Sequence, residues 1–172
     1  MNCPSCGAPL QLPETGESLT CDYCGAVHMP AKNQDGVCIL GEASGELCPV
    51  CKVPLMHASM LHQRFLFCTR CGGSLIPMLV FLALVRDLRA RGSGVEENPH
   101  PPDPRELQRA LRCPKCGAAM DTHYYEGGGN VVIDDCSHCE LNWLDAGELQ
   151  TIGRAGEHTI RDSRFGMEER EA

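Results

Sequence analysis

The longest apolar stretch of the chain runs from Leu75 to Val85 and is interrupted only by Pro77. From Pro77 the pattern predicts an α-helix to about residue 91 that is apolar on nearly every side over its first nine residues. The stretch covers about half of the ~20 residues that a membrane helix needs, so we expect no transmembrane span. Such a helix must be covered, either by the rest of the chain or by a second copy, a protein partner or the membrane surface.

Shorter segments predict strands. Residues 64–67 are rich in β-prone side chains, and residues 124–125 and 131–133 flank a glycine-rich turn at residues 126–130. This arrangement is typical of a β-hairpin.

Two further helices are predicted from their start signals. Asp103, followed by a proline at the first helical position, predicts a helix to about Leu111. Asp145 as N-cap, with Glu148 three residues later, predicts a capping box and a helix from about 146 to 153. The charged residues 154–172 are expected to form a frayed or disordered tail.

Composition argues against one large core. The hydrophobic content of 42% includes 13 cysteines, and only eight residues are aromatic, whereas glycine (18) and proline (12) favour many short turns. Small units stabilised by something other than burial fit this composition better.

Twelve of the thirteen cysteines fall into six C-x-x-C pairs: Cys3/Cys6, Cys21/Cys24, Cys48/Cys51, Cys68/Cys71, Cys113/Cys116 and Cys136/Cys139. Taken two at a time in chain order, the pairs are separated by 14, 16 and 19 residues. This is at or close to the spacing of four-cysteine zinc sites. The spacing predicts three structural Zn²⁺ ions, each bound by four thiolates.

Local geometry explains the spacing. Two residues between ligands let a tight turn direct both sulfurs at one ion, and a glycine after the second cysteine helps that turn to close. Glycine stands there in four of the six pairs, at Gly7, Gly25, Gly72 and Gly117. The residues between paired turns suffice for a β-hairpin, which makes each unit a zinc ribbon. The predicted fold is a small metal-stabilised α+β protein of three tandem ribbons, two of them followed by helices.

The second and third ribbons are related as a repeat. The four cysteines of ribbon 2 map onto those of ribbon 3 with offsets of 65, 65, 68 and 68 residues. The predicted layout is ribbon 1 (1–30), a linker (31–47), ribbon 2 with its apolar helix (48–91), a linker with a short helix (92–112), ribbon 3 with its helix (113–153) and a charged tail (154–172).

Alternatives to zinc remain open at this point. Iron uses the same ligand set, and a C-x-x-C pair can be a redox dithiol, although the βαβ setting of a thioredoxin-type centre is absent. Cys38 is expected to be a buried or semi-exposed thiol and not a ligand. The histidines, including His138, are expected at surface or second-shell positions because each site already has four sulfurs.

Ribbon 3 resembles a known family. The turn Cys113-Pro114-Lys115-Cys116 and the run from Cys136 to Leu149 are similar to the motif of a bacterial zinc-finger family related by name to the ribbon of transcription factor IIB. One motif glycine is replaced by Leu141, which we expect to affect the turn without touching a ligand. Ribbon 2 resembles the family more loosely and lacks its tryptophan and cap, and ribbon 1 resembles only zinc ribbons in general.

Trp143, the motif tryptophan of ribbon 3, is expected to pack over the metal turn and the hairpin. The alternative is an exposed tryptophan presented to a partner. It is the only tryptophan of the chain.

The charge of the chain disfavours generic binding of nucleic acid. The formal net charge is −8, and three zinc ions with four thiolates each would bring it to about −14. Only residues 48–91 are basic, with six basic residues and one acidic residue. Any phosphate contact should therefore involve the arginines of this segment, Arg64, Arg70, Arg86, Arg89 and Arg91.

We expect a non-catalytic adaptor that binds a protein partner or a second copy through the ribbons and the apolar helix, with Leu79, Leu82, Arg86 and Arg89 in contact. Zinc with four sulfurs has no open position for catalysis, and no G-x-S-x-G, P-loop or H-E-x-x-H motif occurs. One alternative is transcription-associated or nucleic-acid binding, and another is a thiol redox switch. A cysteine motif already at the third residue leads us to expect a cytoplasmic protein.

Overall fold

The computed structural model describes residues 1–11, 17–92, 105–126 and 130–155. These residues form a small α+β structure with one two-stranded sheet, made of β1 (Leu19–Thr20) and β2 (Val27–His28), and one seven-stranded sheet. Among the described residues, no helix is both long and apolar enough to cross a membrane.

The larger sheet joins ribbons 2 and 3 into one unit, and every neighbouring pair of its strands is antiparallel. Across the sheet the strands are, in order, β3 (Cys38–Leu47), β4 (Pro54–Met60), β5 (Gln63–Phe67), β6 (Ser74–Pro77), β9 (Leu141–Leu144), β8 (Val132–Cys136) and β7 (Asp121–Tyr124). Ribbon 2 supplies β4 to β6 and ribbon 3 supplies β7 to β9. The two ribbons therefore meet through their third strands.

Two helices pack on one face of this sheet. Helix α1 (Met78–Arg91) follows β6, and helix α2 (Glu148–Arg154) follows β9. Phe81 and Leu84 of α1 and Ile152 of α2 lie in one buried apolar cluster with Ile76 and Leu144 of the central strands. The apolar helix predicted from residue 77 thus exists, and most of its apolar surface is covered by the chain itself.

A second apolar cluster lies on the cysteine side of the sheet. Because successive residues of a strand point to opposite faces, Leu75 and Trp143 point away from the helices and pack among the cysteines of ribbons 2 and 3. Trp143 is 0% exposed. The buried position expected for this tryptophan is the one that the structure shows.

The segment 31–47 differs from the linker predicted for it. Its last ten residues form β3, which pairs with the edge of the ribbon 2 hairpin through Cys38–Ser59, Ile39–Ala58 and two later pairs. The physical reason is that β4 would otherwise expose a row of unpaired backbone groups at the sheet edge. Cys38 and Leu40 are buried in this contact.

The helix predicted from Asp103 to Leu111 is shorter in the structure. From residue 105, where the described part of this segment begins, the chain forms a 3-10 helix, Glu106–Gln108, and Arg109 after it is extended. The chain straightens because it is held against the ribbon 3 hairpin, where Leu111 O accepts a hydrogen bond from Met120 N at 3.0 Å. Residues 103–104, most of the predicted turn 126–130 and the tail from 156 onward lie outside the described residues.

Helix α2 begins at Glu148, and Asp145 is not its N-cap. Gly147, in the left-handed conformation, precedes the helix, and no side chain caps it. The predicted capping box is half formed, because Glu148 Oε2 accepts a hydrogen bond from the Asp145 N–H at 2.5 Å. The Asp145 carboxylate instead accepts hydrogen bonds from Trp143 Nε1 and from Arg109.

Candidate metal centres

The structure brings the twelve paired cysteines together in three groups of four: Cys3, Cys6, Cys21 and Cys24; Cys48, Cys51, Cys68 and Cys71; Cys113, Cys116, Cys136 and Cys139. Within each group the four sulfurs lie within 4.8 Å of one another. Sulfurs from opposite turns approach to 3.6 to 3.7 Å. A tetrahedron of Zn–S bonds of about 2.3 Å has edges of about 3.8 Å, so the donor sets fit three structural zinc ions.

One backbone conformation recurs in the metal-binding turns. The residue after the second cysteine has a positive φ in all six turns, between 53° and 77°. Glycine occupies four of these positions, as expected, whereas Lys52 and Glu140 adopt the same conformation with a side chain. In five of the six turns the amide of that residue donates to the first cysteine's carbonyl, as Gly117 N does to Cys113 O at 2.8 Å, and in the last turn Cys139 N donates to Cys136 O at 3.2 Å. The turn geometry is therefore set by the ligand spacing, and glycine only makes it easier.

The three groups differ in how deeply they are enclosed. In ribbon 2 two cysteines are buried and two are half-buried, whereas in ribbon 1 two of the four are exposed. Ribbon 2 lies within the large sheet, while the described residues of ribbon 1 form a hairpin of two-residue strands. The ribbon 1 site is thus the most accessible to solvent.

Charge repulsion between the thiolates calls for a cation in each group. Burial alone would raise the pKa of Cys3, but the Cys6 backbone N–H and the His28 side chain outweigh it and lower that pKa to about 5. The backbone N–H of Ala8 lowers the pKa of Cys6, but burial and the neighbouring thiols raise it to about 12. One thiolate therefore hinders ionisation of its neighbours. Four thiolates can coexist only when a divalent cation balances their charge.

Single residues beside these groups agree with the positions expected for them. His28 Nε2 lies 3.2 Å from Cys3 Sγ, within hydrogen-bond distance of a ligand sulfur of the ribbon 1 site. His138 is exposed. Cys38 is buried and belongs to none of the three groups, and its Sγ lies 3.8 Å from Pro30 O.

A buried charge network beside ribbon 3 was not foreseen from the sequence. Arg109 donates to Asp134 and Asp145, which come from β8 and from the end of β9. Asp134 also accepts a hydrogen bond from Thr122 Oγ1 at 2.5 Å. No local pattern marks these residues, because the partners are 25 and 36 positions apart from Arg109. These ion pairs hold the segment after the 3-10 helix against ribbon 3.

Carboxylate oxygens of Glu106, Asp145 and Glu148 also lie within 4.8 Å of one another. The Arg109 guanidinium is bound to Asp145 in this cluster. It supplies positive charge there, so the cluster is explained as part of the same network.

The residues predicted to bind a partner lie on α1 and divide into two sets. Leu79 and Leu82 are 77% and 52% exposed, and Arg86, one further turn along, is also exposed. Arg89 faces α2 instead, where its Nε donates to Ile152 O at 3.4 Å. Arg89 therefore contributes to helix packing, and the exposed stripe consists of the other three.

Comparison with known families agrees with this geometry for ribbon 3. The family model described as transcription factor zinc-finger, of the TFIIB type, matches residues 112–155. These residues form a TFIIB-type zinc ribbon. The match covers about a quarter of the chain and agrees with the resemblance seen over residues 112–153. No curated protein and no solved structure matches the chain.

Ribbon 2, which precedes the TFIIB-type ribbon in the chain, repeats its structure. Ribbon 2 has the same three strands, the same pair of C-x-x-C turns and a helix after the third strand. Because each set of four sulfurs completes a tetrahedron, a zinc ion held there would have no coordination position left for water or substrate. Its chemical contribution is to cross-link two turns and hold the hairpin.

Proposed function

We propose that the protein is a non-catalytic zinc-ribbon adaptor that binds a protein partner through the exposed stripe of α1. The observation that carries the proposal is the exposure of Leu79 and Leu82, three residues apart on a helix whose opposite face is buried. Adjacent exposed leucines are unfavourable in water unless a partner covers them. Thiolate-bound zinc requires a reducing compartment, so we place this adaptor in the cytoplasm.

The spacing and the charge of the exposed α1 residues predict what kind of partner surface fits them. Leu79, Leu82 and Arg86 lie at positions i, i+3 and i+7, so they form one stripe along the helix. The four-sulfur sites supply a rigid support for this helix without offering a reactive metal position. The partner surface that fits is an apolar groove with an acidic margin close to Arg86.

Introducing negative charge into the stripe tests the proposal. The variant Leu79→Glu/Leu82→Glu should lose a partner that the unchanged chain captures from cell extract, while both proteins keep three zinc ions and the same circular dichroism. Val27→Glu/Met29→Glu, which changes two exposed apolar residues of ribbon 1, is the matched control and should keep the partner. Equal capture by the α1 variant and the unchanged chain would contradict the proposal.

Nucleic-acid binding is a second candidate, favoured by the description of the matching family and by the basic character of residues 48–91. The discriminating measurement is affinity for a DNA duplex at two salt concentrations. Phosphate contacts predict an affinity that falls steeply with salt and is reduced in Arg70→Ala/Arg86→Ala. Absence of measurable binding at low salt would remove this candidate.

A further inference from the structure

Ribbons 2 and 3 meet edge to edge through equivalent strands. In the pairing of β6 with β9, Leu75 lies opposite Trp143, and the pairing continues in register on both sides of them. These two residues are equivalent in the repeat, because the offset between the ribbons is 68 residues here. A local pseudo-two-fold axis therefore passes between Leu75 and Trp143, as in a dimer of two related subunits.

Trp143 lies directly over Gly73 across this axis. A Cβ atom at Gly73 would be 2.2 Å from Trp143 Cζ2 and 2.7 Å from Cη2, well inside contact distance. The φ angle of Gly73 is not in the left-handed region, unlike that of Gly72 next to it. Gly73 is therefore required for space and not for its backbone conformation.

The axis relates this contact to a second one of different composition. Leu141 stands at the position equivalent to Gly73, and Leu75 at the position equivalent to Trp143. Both leucines pack in the apolar cluster that contains Trp143. One contact thus combines the largest side chain with the smallest, and the other combines two of medium size. Leu141 lies in β9, beyond the turn, so its effect is on packing.

We propose that these unlike contacts make the edges of ribbons 2 and 3 specific for each other and unfit for pairing with themselves. If ribbon 3 paired with its copy in a second chain in this register, each Trp143 would overlap Leu141. If ribbon 2 paired with its copy, each Leu75 would face Gly73 and leave a cavity. Only the unlike pair fills both contacts without overlap.

The helices show the same one-sided fit. A Cβ atom at Gly153 of α2 would lie 2.7 Å from Leu88 Cβ of α1. Arg89 of α1 donates to Ile152 O next to this close approach. Here ribbon 3 supplies the glycine and ribbon 2 the leucine. Two separate contacts, one in the sheet and one between helices, therefore place a glycine of one ribbon against a large side chain of the other.

Exchanging one residue between the ribbons tests the proposal without changing composition. In Gly73→Leu/Leu141→Gly, the unlike pair has one overlap and one cavity, whereas each ribbon fits its own copy. We expect the zinc-loaded variant to associate with further copies of itself, so that its mass by light scattering is at least twice that of the unchanged chain. If the chain's own linkage keeps the ribbons paired, we expect the same mass with a red-shifted tryptophan emission and lower stability.

A four-residue exchange is the matched control. Gly73→Leu/Leu75→Trp/Leu141→Gly/Trp143→Leu moves the large–small contact to the other side of the axis and restores the fit of the unlike pair. It should recover the mass of the unchanged chain, three zinc ions and a buried tryptophan emission. The proposal is overturned if the two-residue exchange matches the unchanged chain in mass and emission. It is equally overturned if the four-residue exchange is as perturbed as the two-residue exchange.

Discussion

Replacing Arg109 with alanine would leave a buried carboxylate with a single side-chain partner. Asp134 is 0% exposed and accepts hydrogen bonds from Arg109 Nη2 and Thr122 Oγ1, both at 2.5 Å. Arg109→Ala removes the guanidinium that pairs with Asp134 and also one partner of Asp145. Because an uncompensated charge remains inside the protein, we expect a loss of about 3–5 kcal/mol in the free energy of unfolding.

A second arginine pair supplies the control. Arg86 bonds to Asp87 at 3.0 Å, but its side chain is 76% exposed. Solvent screens such a pair, so Arg86→Ala should change the free energy of unfolding by less than about 1 kcal/mol. The two substitutions remove the same side chain from the same chemical partner, and they differ in burial. Any difference between them therefore measures the cost of leaving Asp134 and Asp145 without the Arg109 guanidinium.

Thermal unfolding of the zinc-loaded protein, followed by fluorescence, is a suitable assay. Trp143 reports on this region because its Nε1 donates to Asp145 at 3.1 Å. At about 2–4 °C per kcal/mol for a chain of this size, Arg109→Ala should lower Tm by roughly 6 to 20 °C. Adding Asp134→Asn should restore part of the loss, since the neutral amide needs no cation. A Tm for Arg109→Ala equal to that of Arg86→Ala would refute the reasoning, as would a double variant no more stable than Arg109→Ala.

Three further predictions concern the metal sites and α2. Cys48→Ser should lower the zinc retained under mild chelation from three ions to two per chain, while Cys38→Ala should keep three, both measured by metal analysis; unchanged zinc in the first variant would exclude Cys48 as a ligand. Glu140→Gly should raise the free energy of unfolding by about 0.5–1 kcal/mol in a urea titration, because it relieves a positive φ; a loss of stability would contradict this. Burial raises the pKa of Glu148 to about 8, so its folded-state pKa exceeds the unfolded one and its contribution to stability is lost as pH rises from about 4.5 to 8. Glu148→Gln should therefore gain on the unchanged chain between pH 6 and pH 8 in zinc-saturated urea titrations, and a pH-independent difference would count against the assignment.

The grouping of the cysteines could be predicted because metal-binding turns are local. Two residues between ligands and one hairpin between turns determine which sulfurs meet, and no distant contact is involved. The same locality made the ribbon 3 motif recognisable over residues 112–155. The apolar helix was predictable as well, since its run of side chains is continuous.

The positions of Arg109 and β3 could not be predicted in this way. Arg109 follows a helix start signal, yet its role depends on two carboxylates far along the chain. The small and polar residues of β3, such as Gly41 and Ser44, resemble a linker. The segment becomes a strand because the ribbon 2 hairpin presents an open edge to it.

The sequence by itself determined three metal-stabilised hairpins, since ligand spacing and turn geometry act over a few residues. Only the tertiary structure decided how ribbons 2 and 3 combine, which face of α1 stays exposed and why position 73 is glycine. The pairing of β6 with β9 joins residues 64 to 70 positions apart, and Trp143 excludes any side chain at Gly73 only after that pairing has formed. Such constraints come from the shapes of two surfaces in contact, and neither surface is visible in its own segment of sequence.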